Sequence, residues 1–110
     1  MVQVNNFYFL QNATSATETD VTHNASGETL TLQVDGDASA FSFQIKGCVD
    51  LMSDEFYQLS GLDLDFNTSK TITKTGIYTF GVDGISKLKL KLDSISGGSI
   101  TVFAKITKGV

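Results

Sequence analysis

The dominant pattern in this chain is a period of two, the spacing of a strand with one buried face; the helical period of 3.6 is nearly absent. Leu30, Leu32 and Val34 alternate with Thr29, Thr31 and Gln33, and Phe41, Phe43 and Ile45 with Ser42, Gln44 and Lys46. After Gly76 come Tyr78, Phe80 and Val82; then Leu88, Leu90 and Leu92 alternate with Lys87, Lys89 and Lys91. Ile100, Val102, Ala104 and Ile106 carry the rhythm towards the end. The opening Val2 to Leu10 is β-rich and contains the unbroken run Phe7-Tyr8-Phe9, whereas the polar Asn12 to Thr19 reads as a loop or an irregular edge. Leu62, Leu64 and Phe66 read as core positions of a strand whose Asp63 and Asp65 face water. Only Val49 to Tyr57 leaves room for a helical turn, and its Asp50, Ser53, Asp54 and Glu55 fit a loop or a short surface turn.

Turn signals separate these runs. Asp35-Gly36-Asp37 predicts a hairpin between the strands of Leu30–Val34 and Phe41–Ile45, and Asp83-Gly84 closes the strand of Tyr78–Val82. Gly97-Gly98 tolerates the positive φ of a tight turn and predicts a closing hairpin that pairs Ser96 with Ser99 and Ile95 with Ile100. Uninterrupted counting would then set Leu92 against Phe103, with the two apolar sets on opposite sides. One extra residue at Asp93 or Ser94 repairs the parity, so a β-bulge is expected there, with Leu92 opposite Val102, Leu90 opposite Ala104 and Leu88 opposite Ile106. About eight short strands joined by Gly- or Asp-containing turns predict an all-β fold, a two-sheet antiparallel β-sandwich of immunoglobulin-like or jelly-roll connectivity.

Composition narrows the class. The 110 residues suit one domain, 1–110, and a chain of this size can bury a core without disulfide or metal staples. Charged residues are 18% of the chain, and the net charge is −4 with Lys as the sole basic type. An acidic chain without Arg argues against nucleic-acid binding. No apolar run approaches a membrane span. Met1-Val2-Gln3-Val4-Asn5-Asn6 lacks the marks of a signal peptide, so the expectation is a protein made in a host cytoplasm and not secreted by the Sec route.

Candidate chemistry is sparse. Cys48 is the single cysteine and ends an apolar strand, which reads as a small buried hydrophobe; the single histidine, His23, lies in a distant polar segment. Asp63-Leu64-Asp65-Phe66-Asn67 opens like a calcium loop, but Thr68 stands where glycine is needed and Lys74 where the bidentate Glu belongs. Asp35 and Asp37 are turn residues before they are paired carboxylates. Asn12-Ala13-Thr14, Asn24-Ala25-Ser26 and Asn67-Thr68-Ser69 match the glycosylation sequon by chance in an Asn/Thr/Ser-rich chain. No catalytic set, metal site or cofactor is expected. Lys87, Lys89 and Lys91 form a basic stripe: either a solvated or edge strand guarded by lysines, or a contact for an acidic partner surface. Phe7, Tyr8 and Phe9 are candidates for self-association, and with Phe56 and Tyr57 for an aromatic sugar platform.

Phe43-Gln44-Ile45-Lys46-Gly47 and Tyr57-Gln58-Leu59-Ser60-Gly61, followed by the segment from Thr75 through Gly76, Tyr78, Phe80, Gly84 and Leu88 to Leu90, and by Ser96-Gly97-Gly98-Ser99-Ile100-Thr101-Val102, resemble small β-sandwich virion proteins of tailed phages and prophages. These are of the head-decoration, head-fibre and tail-associated type. The resemblance covers residues 40–107, rests on turn and core positions, and departs where such proteins often carry Arg and this chain has Lys89 and Lys91. It implies a strand, a glycine turn, a second strand and a closing hairpin after Gly76. It also implies a non-enzymatic structural protein of the virion, foremost an auxiliary protein on the capsid, with capsid or other virion proteins as partners and a homo-oligomer, for example a trimer. The alternatives are a tail or baseplate component, or a carbohydrate-binding adhesion module with a glycan as ligand.

Overall fold

All of the alternating runs but the one from Leu62 to Phe66 form strands, and these divide between two antiparallel sheets. The structure is a computed structural model that describes residues 3–22 and 29–108; His23, the sequon at Asn24 and the first residue of the run from Val2 lie outside the described residues. The strands are β1 (Gln3–Ala13), β2 (Thr17–Thr22), β3 (Thr29–Gly36), β4 (Ala40–Cys48), β5 (Tyr57–Gln58), β6 (Gly61–Leu62), β7 (Thr68–Ser69), β8 (Gly76–Gly81), β9 (Lys87–Ser96) and β10 (Ile100–Lys108). One sheet has six strands in the order β1-β10-β3-β8-β6-β7, the other four in the order β2-β9-β4-β5. The inward residues of both sheets make one core: Leu30, Leu32, Val34, Phe41, Phe43, Ile45, Phe80, Val82, Leu88, Leu90, Leu92, Ile100, Val102 and Ala104 are all buried in it. The all-β sandwich expected from the alternation is therefore the fold observed.

Neither predicted hairpin forms. β3 pairs with β10 and β4 with β9, so the strands flanking Asp35-Gly36-Asp37 lie in different sheets, as do those flanking Gly97-Gly98. The two connections instead run side by side and carry a paired ribbon from one sheet to the other, a corner of the kind that lets strands switch sheets. Gly36 pairs with Ile100 on one side of the corner and Ala40 with Ser96 on the other. At the corner, the Asp37 and Ala38 amides donate to the Ser99 carbonyl at 3.1 and 3.2 Å, and the Ser39 amide donates to the Ser96 carbonyl at 3.0 Å. The Ser99 amide donates to Asp37 Oδ1 at 3.0 Å, which gives Asp37 a structural role. Gly97 and Gly98 have φ of 71° and 142°, as a tight turn requires, but the space they occupy is set by the neighbouring crossing. A Cβ on Gly97 would run into Ser39 Oγ, and one on Gly98 would lie 2.9 Å from the Ala38 nitrogen. The β1–β2 connection crosses at the same end, since Ala13 pairs with Ile100 and Thr17 with Leu92.

The expected bulge exists, on a different pair. Ser42 pairs with Ser94 and Phe43 with Leu92, so Asp93 is the extra residue on β9, set against β4 and not against β10. Of the two expected positions Asp93 is the one inserted, but the β9–β10 pairings of Leu92, Leu90 and Leu88 do not occur. Leu92 and Val102 do both face the core, but from opposite sheets.

The loop or short turn read at Val49 to Tyr57 is what forms: residues 49–56 are a loop with a single Asp50–Ser53 backbone turn, and Tyr57 opens β5. One further expectation is corrected. The strand read from Leu62 through Phe66 stops at Leu62. Asp63 Oδ1 accepts from the Asp65 and Asn67 amides, both at 2.9 Å, and this local capture curls the chain into a turn. Leu64 and Phe66 consequently point to solvent, Phe66 at 82% exposure and with φ 65°. The calcium-like opening of this segment is thus an aspartate turn.

Candidate interaction surfaces

The three lysines of β9 occupy the outer face of the four-stranded sheet. Their strand is not an edge, because β9 lies between β2 and β4. Register places Lys89 opposite Asp20 and Lys91 opposite Glu18 on β2. Lys89 Nζ lies 3.4 Å from Glu18 and 3.9 Å from Asp20, and 4.4 Å from the ring centroid of Phe56. Lys87 Nζ donates to the Ser53 carbonyl, lies 3.9 Å from Asp54 and 5.3 Å from the same Phe56 ring. Lys91 pairs with Asp93 at 3.7 Å. The side chains of Lys87 and Lys89 keep 15% and 20% of their exposure, against 42% for Lys91. Phe56 therefore folds the 49–56 loop over the stripe and shares its cations with neighbouring carboxylates.

Beneath that loop is a depression of about 480 Å³ lined by Gly47, Cys48, Leu59 and Ile85, with Asp50 and Glu55 among its polar walls. Cys48 is buried there, and its thiol donates to the Asp50 carbonyl at 3.2 Å and the Ser53 carbonyl at 3.8 Å. Its surroundings are those of a packing residue with two weak loop contacts. Val49, Leu51, Met52 and Tyr57 stand exposed around this end.

The aromatic run at the start of the chain is split by its own strand. Phe9 is the extra residue of a bulge on β1, between Tyr8 opposite Phe103 and Leu10 opposite Val102. Phe9 and Leu10 are consequently both in the core, with Phe7 partly buried against them, its ring 4.9 Å from that of Phe9. Tyr8 alone presents its ring outward, at 50% exposure. Phe56 and Tyr57 belong to the other sheet and its loop, so the five aromatics do not form one platform. Tyr8 instead meets Phe103, a residue the sequence reading left unassigned, edge to face at 5.0 Å. Register extends this into a row across four strands, from Tyr8 to Phe103, Gln33 and Ile77. A shallow depression of about 170 Å³ follows the row from Phe103 to Ile77, lined by Thr31, Gln33, Ile77, Phe103 and Lys105. On the inward side of β8, burial foremost and the Asp63 carboxylate second push the Tyr78 phenol above its ordinary 10.0, and its hydroxyl donates to the Lys74 carbonyl at 2.8 Å.

Residues 3–106 match the model of the XepA family. The chain belongs to that family. No curated protein sequence matches it. Two solved structures share its fold. One is the SPBc2 prophage-derived protein YomS, 23% identical, with a TM-score of 0.86 and coverage of 98% of this chain and 96% of that one. The other is the PBSX exported protein XepA itself, 21% identical with a TM-score of 0.88. The match to XepA covers 97% of this chain but only 38% of that protein, so this chain corresponds to a part of it. The description of XepA as exported lends no support to the expectation that this chain avoids secretion.

Proposed function

We propose that this XepA-family chain is a non-enzymatic, phage- or prophage-encoded module that works by binding a surface, carried as an auxiliary protein of the virion. The observation that carries the reading is the family match over residues 3–106, joined to two prophage proteins of the same fold. The distribution of side chains supports it. Asp37 and Asp63 are held in turns and the β9 lysines in ion pairs, while large apolar groups stand outward at Tyr8, Ile77, Met52 and Tyr57. Repetition on a particle lets a weak contact per copy suffice. A place on the capsid is proposed ahead of a tail or baseplate position, head-decoration and head-fibre proteins being two of the three types that residues 40–107 resemble. The exported description of XepA favours a second reading, release into the medium.

Quantitative mass spectrometry of a density gradient separates the two. Particles induced from the parent phage should carry the protein in many copies, co-sedimenting with the major capsid protein. Its presence in spent medium but absence from the particle band would replace the virion reading with the released one.

A further inference from the structure

We propose that the outer face of the six-stranded sheet is a carbohydrate-binding face, with the row Tyr8–Phe103–Gln33–Ile77 as its subsite for a pyranose ring of a polysaccharide. This extends the binding reading by naming the ligand class. It does not depend on where the protein is carried.

Outward positions of a two-layer sandwich are ordinarily polar, and most here are: Thr29, Thr31, Gln33 and Asp35 on β3, Thr101 and Lys105 on β10, Thr79 on β8. Tyr8, Phe103 and Ile77 break that rule in one line; the register sets Phe103 and Ile77 on either side of the Gln33 amide and Tyr8 beyond Phe103. A sugar ring needs both kinds of group, an apolar surface under its C–H face and fixed donors and acceptors for its hydroxyls. The two rings meet edge to face at 65°, so the Tyr8 ring stands as a wall beside Phe103. Gln33 Nε2 donates to Asp35 Oδ2 at 2.9 Å, which fixes the amide plane and leaves its carbonyl and second N–H to offer to a ligand. Thr31 and Lys105 add a hydroxyl and an ammonium to the depression, whose volume of about 170 Å³ is that of one sugar residue and not of a folded partner. The row extends past the depression on one side, to Tyr8 on β1, so a chain laid along it meets a second ring beyond the first.

Three alternatives are weaker. The β9 lysines are already paired with carboxylates of their own sheet and of the 49–56 loop. The depression at Cys48 offers a single ring, Tyr57, and no side-chain amide. The Asp63 turn is closed by its own amides.

The test is retention of the wild-type chain on chitin, cellulose and purified bacterial sacculi, with four variants alongside. At least one of the three should retain the wild type. Tyr8→Ala and Gln33→Ala should each weaken binding roughly tenfold, about the loss of one stacked ring or one hydrogen-bonding amide. Phe103→Leu, which keeps the site apolar, should weaken it less than Tyr8→Ala does. Tyr57→Ala, on the other sheet, should bind as the wild type. No retention on any of the three, or equal loss with Tyr57→Ala, would overturn the proposal whatever the gradient experiment gives. So would a Tyr8→Ala protein that binds normally but elutes at a changed oligomeric size, since the face would then serve a second copy of this chain.

Discussion

The two outer faces of this sandwich are built from the same alternating pattern yet have opposite fates. On the four-stranded sheet the outward residues of β9 are cations, and β2 and the 49–56 loop supply carboxylates and a ring that use them up. On the six-stranded sheet the outward line is aromatic, amide and aliphatic, and among the described residues no loop folds over it. A basic stripe in a sequence is therefore a poor guide to a free basic surface, because cross-strand neighbours decide whether its charge is available. The face left open is the one whose residues looked like ordinary strand filling.

The largest expected effect is at the corner that both faces share. Gly97→Val puts a β-branched side chain at φ 71°, against Ser39, and should cost about 2 kcal/mol or more in a denaturant titration. Both faces should lose order in one transition; a loss confined to one sheet would break the picture of a shared ribbon. Next comes Lys89→Glu, which sets a third carboxylate beside Glu18 and Asp20 and removes a cation from Phe56. A loss of about 1–2 kcal/mol is expected, against about 0.5 kcal/mol or less for the same change at Lys105 on the open face. Equal costs would mean that the lysine face is no more closed than its opposite. Smaller still, Phe56→Ala should speed acylation of Lys87 and Lys89 relative to Lys91, read by peptide mass spectrometry. The smallest effect is expected from EDTA, which should leave the melting temperature unaltered, because Asp63 is occupied by two backbone amides.

Much of the core was legible because alternation fixes which side of a strand faces inward. Leu88, Leu90 and Leu92, and Ile100, Val102 and Ala104, are buried as their spacing requires. Even the insertion at Asp93 was legible, since a parity break shows wherever the inward set must be kept. Strand partners were not. Inward residues of the same sheet and of the facing sheet look identical in a sequence, and Gly97-Gly98 has the same positive φ in a hairpin and in a crossing. The run from Leu62 to Phe66 misled because Asp63 competes locally for the amides a strand would have used. At the surface, Phe7-Tyr8-Phe9 was visible as a run, but the bulge that buries Phe9 and turns Tyr8 outward depends on β10, ninety-odd residues away. Phe103 was missed for the same reason: its significance comes only from standing opposite Tyr8.

The most direct test of the account asks which face meets a ligand. Hydroxyl-radical footprinting of the protein bound to purified sacculi reads side-chain protection residue by residue. Tyr8 and Phe103 should be protected, with Met52, Phe56 and Tyr57 oxidised as fast as in the free protein. Protection of Met52 and Tyr57 with Tyr8 left reactive would contradict the account and move the binding face to the loop end of the four-stranded sheet.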